Sequence, residues 1–116
     1  MSTLRAVFSA IIAALPMCLP VSAQAIKGAG VGLASCGSWT AGRAQDTSFS
    51  EEQWVLGFLS GVAATGSIAG APELDPLAGI RDLQGVWAWL DNFCRSNPRA
   101  TIEWAAASFV AEHPPK

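Results

Sequence analysis

The stretch Glu51–Gly66, EEQWVLGFLSGVAATG, constrains the fold more than any other part of the chain. Ser50 precedes it, and Ser50 with Gln53 fits the S-x-x-Q capping box, in which each side chain satisfies an orphan N–H at a helix start. Glu51 and Glu52 fall where the helix dipole favours negative charge. Trp54, Phe58 and Val62 recur every fourth residue, flanked by Val55 and Leu59, which gives a broad apolar face at helical period. Gly57 and Gly61 share a face. Each costs about 0.5–1 kcal/mol relative to alanine inside a helix, and two such costs in one helix imply close approach by another element or by a ligand. The expected neighbour is the alanine-rich face of the last helix, around Ala105, Ala106 and Phe109. Gly61→Leu is then expected to destabilise the fold. Gly66 is the expected stop.

No charged residue lies from Trp54 to Ala71. A run of that length reaches the lower limit for a membrane span, but Gly57, Ser60, Gly61, Thr65, Gly66, Ser67 and Gly70 make it too polar and too breakable. No stable membrane span is expected. Residues 1–25 are a separate object. Arg5 provides a positive start, Ala6–Leu15 a short apolar region, and Ala23 or Ala25 a small-x-small cleavage position. This is the pattern of a cleaved secretory signal peptide, and it predicts a periplasmic location. Residues 26–116 then form a single domain by size. Cys18 leaves with the signal. Met17 before it is not the small residue that lipidation requires.

Two cysteines remain, Cys36 and Cys94. An even pair in an exported chain implies a disulfide. Closing a loop of almost sixty residues removes about 4 kcal/mol of unfolded-state entropy. The pair lacks the C-x-x-C spacing of a redox site. The full chain has seven basic and nine acidic residues, and losing Arg5 leaves six against nine. With no basic stripe, nucleic-acid binding is not expected.

The remaining segments read as helices and connections. Gln24–Val31 is expected to be a flexible, glycine-rich N-terminal arm. Leu33–Arg43 places Cys36 and Trp39 on one face of a short first helix, closed by Gly42 and Arg43. Ser67–Asp75 is a loop, Asp75-Pro76 opens a turn through Ile80, and Asp82 caps a helix that ends near Arg95. In it Val86, Leu90 and Cys94 form the core stripe, and Asp91 and Arg95 form an exposed i,i+4 ion pair. Asn97-Pro98 has the cap-then-proline signature of a last helix running to Glu112, with Ile102, Ala105, Ala106, Phe109 and Val110 buried. His113-Pro114-Pro115 ends it. No strand pattern is present. The expected fold is all-α, a disulfide-linked bundle of about four helices.

No residue set carries an expected chemistry. His113 is the lone histidine and reads as a solvated helix end. Asp82 and Asp91 point to opposite sides of their helix and are not a paired-carboxylate site. Neither Ser35 nor Ser60 has a base with sequence support. The chain is expected to be no enzyme, to hold no metal and to need no cofactor. Its five tryptophans carry more information. Trp39, Trp54, Trp87 and Trp89 cluster around the core elements, and of the five Trp89 and Trp104 are the expected exposed anchors for a partner.

Ser35–Thr40 (SCGSWT), Trp54–Gly61 (WVLGFLSG), Trp89–Cys94 (WLDNFC) and Pro98–Ala106 (PRATIEWAA) with His113-Pro114 resemble small exported two-cysteine helical proteins. The set is most similar to the HdeA/HdeB group of periplasmic acid-stress chaperones, and also resembles the Tai-type immunity proteins that block secreted peptidoglycan amidases. The first resemblance implies a protein that loosens in acid, exposes apolar surface and holds unfolded periplasmic clients. Nine acidic side chains would lose their charge near pH 2–3. The chain departs from that expectation in its few lysines, Lys27 and Lys116. The second implies a stable folded surface for one secreted effector, with the loop Ser67–Ile80 and Trp89 or Trp104 in contact. A homodimer is compatible with either. A third reading is a structural protein of the envelope.

Overall fold

A computed structural model describes residues 28–113. The expected signal peptide, Cys18, Lys27 and Pro114–Lys116 lie outside them. The described chain is all-α, with helices α1 (Cys36–Gln45), α2 (Phe49–Ile68), α3 (Leu83–Ser96) and α4 (Ile102–Glu112). Short 3-10 turns occupy Gly30–Leu33 and Pro72–Leu74. No described helix is long and apolar enough to cross a membrane.

Local chemistry sets each boundary. Ser35 caps α1 by accepting from the Ser38 N–H. The helix continues past Gly42 and Arg43 and is closed by Asp46, which takes the left-handed conformation with φ 57°. Ser50 is not the start of α2. The helix begins two residues earlier, after Ser48, whose buried hydroxyl donates to Glu52 Oε1 at 2.7 Å. This replaces the expected Ser50–Gln53 box. Gly66 does not stop α2 either. It is buried inside the helix, where a Cβ would meet the Ala71 carbonyl oxygen at 2.9 Å. The turn comes at Gly70, with φ 73°. Asp75 then accepts from the Leu77 N–H at 2.8 Å and Asp82 caps α3 from Gln84 and Gly85, both at the expected positions.

The last helix starts later than its sequence implies. Asn97 closes α3, with its side-chain amide donating to the Phe93 carbonyl at 2.9 Å. Thr101 caps α4 by accepting from Trp104 N–H. The residues between form a turn, closed by the Ala100 N–H donating to Asn97 O at 3.0 Å, beside the start of α1. Cys36 N–H donates to Ala100 O at 2.7 Å, Gly37 N–H to Pro98 O at 3.1 Å, and Ile102 N–H to Ala34 O at 3.0 Å. The Cys36–Cys94 disulfide lies at this junction and joins α1 to α3.

The core gathers one stripe from each helix: Cys36 and Trp39 from α1, Val55 and Leu59 from α2, Val86, Trp87, Leu90 and Cys94 from α3, and Ile102, Ala105, Ala106 and Phe109 from α4. Val110, Phe58 and Trp54 are half-buried against it. The buried stripe of α2 is thus displaced by one residue from the expected Trp54–Phe58–Val62 repeat. An α-helix that is apolar on both sides does not specify by period which side turns inward.

Candidate functional site

The exposed side of α2 carries the feature that sequence reasoning placed in the core. Gly57 and Gly61 are both exposed, and a Cβ built on either meets no described atom within 4 Å. They do not pack against Ala105, Ala106 and Phe109. Those residues are buried against the opposite, Val55–Leu59 side of the bundle's core. The two glycines instead form part of the wall of an open groove of about 550 Å³, with Phe58, Val62, Thr65 and Leu74 among its other lining residues. Leu74 comes from the turn after α2, inside the loop expected to meet a partner. The groove has no charged lining residue. Thr65 is its main polar side chain, and its hydroxyl is already spent on the Gly61 carbonyl at 2.8 Å. Such a surface offers shape and apolar contact, and no group able to do acid–base or nucleophilic chemistry.

Beside it, the glycine-rich N-terminal segment is a fixed strap over Trp54 from Gly28 onward. The Trp54 indole N–H donates to Ala29 O at 2.8 Å, and the ring stacks on Phe58. Gly32 lies so close beneath the ring that a Cβ would fall 2.3 Å from it. Gly28 N–H donates to Glu103 Oε1 at 2.8 Å, which carries the strap across to α4.

A polar tie holds the other side of the bundle. Asp91 Oδ1 accepts from the Trp39 indole N–H at 2.8 Å and from Arg43 Nε at 3.0 Å, and Asp91 Oδ2 accepts from Arg43 Nη2 at 3.1 Å. Arg43 Nη1 donates to Glu52 Oε1 at 2.9 Å. Three helices meet on one guanidinium. The bonds to Asp91 are the main reason that Arg43 holds its proton more tightly than an ordinary arginine, with partial burial opposing and Glu52 adding to them. The expected Asp91–Arg95 pair does not form, because Asp91 turns to α1. Arg95 donates instead to Asn92 Oδ1 at 2.8 Å.

The two tryptophans expected to serve as anchors differ. Trp104 is 63% exposed. Trp89 is half-buried, stacked on Phe93 and set edge-on to Phe109, and its indole N–H donates to Glu112 at 3.2 Å. His113 is not a solvated end. Its ring stacks on Phe109 with centroids 4.0 Å apart, and Nδ1 bonds the Phe109 carbonyl at 2.8 Å. Neither Trp89 nor Trp104 lines the groove.

Comparison with protein-family models, with characterised proteins and with solved structures returns no match. The groove's signal was present in the sequence as the Gly57–Gly61 pair on a charge-free helix. Whether that pair faced inward or outward was not readable from spacing alone.

Proposed function

We propose that this chain is an exported, non-enzymatic protein-binding domain, and that the groove of α2 receives an apolar, uncharged segment of another protein. One observation carries the reading: two glycines are kept on the open side of a helix where alanine would be more stable, at the wall of a charge-free groove. A groove already open in the folded protein suits a partner that docks at neutral pH, which favours the resemblance to Tai-type immunity proteins. The Cys36–Cys94 disulfide supports an oxidising compartment.

A second reading follows from a different observation. The tie among α1, α2 and α3 depends on the carboxylates of Asp91 and Glu52. A bundle loosened in acid by loss of this tie would expose Trp, Phe and Leu, as the HdeA/HdeB resemblance implies.

The experiment is a capture from envelope extract at pH 7 with the mature protein and Gly61→Trp side by side, together with suppression of aggregation of a model substrate at pH 7 and pH 2–3. One species retained by the wild type and lost with Gly61→Trp, at unchanged helical circular dichroism, is the expected result. Equal retention by both removes the groove from the reading. Suppression confined to acid makes the chaperone reading the better one, and no suppression ends it.

A further inference from the structure

The outer face of α2 lies opposite its buried stripe. Val55, Leu59 and Gly66 are buried, whereas Gly57, Gly61, Ala64 and Ile68 are all exposed. With a turn of about 100° per residue, the four exposed positions fall within about 60° of one another around the helix. Three of them are small, and a Cβ at Gly57 or Gly61 meets no described atom within 4 Å. The fourth, Ile68, is 88% exposed, more than any other large apolar side chain among the described residues. The face therefore has a hole at one end and a knob at the other.

The spacing of these positions reads the same in both directions. Reversed about the point midway between Gly61 and Ala64, Ile68 falls opposite Gly57, and Ala64 falls opposite Gly61. A second α2 laid antiparallel thus offers each knob a hole, the self-complementarity that a two-fold contact requires. No charged residue lies on α2 from Trp54 to its end at Ile68, so the two-fold sets no like charges against each other along the seam. Leu74, 49% exposed in the adjoining groove, flanks the same side. We propose that two copies of this chain pair through the outer faces of their α2 helices, antiparallel, across Gly57, Gly61, Ala64 and Ile68. The inference rests on the reading of the α2 groove as a protein-docking surface and names a second copy as what occupies that side when no other partner does. A helix face about 30 Å long and about 10 Å wide falls short of the roughly 800 Å² per partner of a standard interface. The dimer is therefore weak and concentration-dependent.

The purified mature protein is followed by sedimentation equilibrium at pH 7, where a monomer–dimer equilibrium with a midpoint on the order of 10 µM is expected. Gly57→Trp fills the hole and Ile68→Ser removes the knob. Each should weaken association at least about tenfold, the effect of losing one buried isoleucine side chain, with helical circular dichroism unchanged because both positions are exposed. Cross-linking tests the register. Gly57→Cys and Ile68→Cys chains, mixed and mildly oxidised, should join to each other. Neither should join to itself, because two copies of either position lie about 16 Å apart along the paired helices, beyond the reach of a disulfide. A monomer up to about 200 µM, twenty times the expected midpoint, overturns the proposal. So does unaltered affinity in Gly57→Trp or in Ile68→Ser, or a disulfide formed by Gly57→Cys with itself. The groove reading is decided separately by the capture from envelope extract. A purified monomer that still retains one species, lost with Gly61→Trp, keeps the groove and removes only the dimer. A dimer with no retained species leaves the second copy as the groove's occupant.

Discussion

Glycine means three different things at three positions of this chain, and only the surroundings distinguish them. At Gly61 there is open space, so the expected destabilisation by Gly61→Leu reverses. A Cβ there meets nothing within 4 Å, and leucine gains helix propensity of about 0.8 kcal/mol over glycine. The melting temperature should hold or rise, while any partner that uses the groove is lost. A fall in melting temperature would show that the glycine face is covered after all. At Gly32 the neighbour is the Trp54 ring, pinned by its bond to Ala29 O and its stack on Phe58. Gly32→Ala should cost about 1–3 kcal/mol, the usual range for overpacking, and should shift the Trp54 indole N–H resonance. At Gly66 a Cβ would approach a backbone carbonyl, so the glycine is required for the turn that brings Leu74 to the groove. The sequence shows three identical letters. The distinction depends on contacts made by residues distant in the chain.

At the scale of the element, a helix was readable where a cap and a strong period agreed. In α3 the Asp82 cap and the Val86–Leu90–Cys94 stripe appear where they were expected. In α4 the buried face was legible but the start was not. Asn97-Pro98 has the spelling of a helix opening, yet the backbone carbonyls of Pro98 and Ala100 are used by Gly37 and Cys36. A contact across more than sixty residues outweighs a local signature, and no window on the sequence contains it. The functional cap is Thr101. Thr101→Ala should therefore lower stability by about 1 kcal/mol, measured by urea unfolding. Pro98→Ala should have the smaller effect, because Pro98 contributes a carbonyl that alanine retains. The reverse ranking would place the helix start back at Pro98. The Asp91–Arg95 pair fails for a related reason. Its i,i+4 spacing is favourable but worth only a few tenths of a kcal/mol, whereas Asp91 gains a bidentate arginine and the indole N–H of the buried Trp39 by turning the other way.

For the whole molecule, two cross-links join α1 to α3: the Cys36–Cys94 disulfide at one point and the Arg43–Asp91 tie at another. They differ in what breaks them. The Arg43 guanidinium holds its proton above the ordinary value. A raised pKa on a base contributes stability in full at every pH below its unfolded value and loses it only as pH rises through the folded one. Arg43 itself is thus not what acid removes. The disulfide is indifferent to protonation. Its removal should cost about 4 kcal/mol by loop entropy, against a net stability for such a domain of about 5–15 kcal/mol. The Cys36→Ala/Cys94→Ala variant is therefore expected to remain folded at pH 7 with a lower urea midpoint, and to lose helical packing at a higher pH than the wild type on acid titration. Asp91→Ala with the disulfide intact should lose stability at pH 7 through the unpaired Trp39 N–H, by about 1–3 kcal/mol, measured by urea unfolding. Near-ultraviolet circular dichroism, dominated by the tryptophans, follows both. If Asp91→Ala is as stable as the wild type at pH 7, the tie does not hold the bundle together. The second functional reading then loses its physical basis, while the groove and its neutral-pH partner are unaffected.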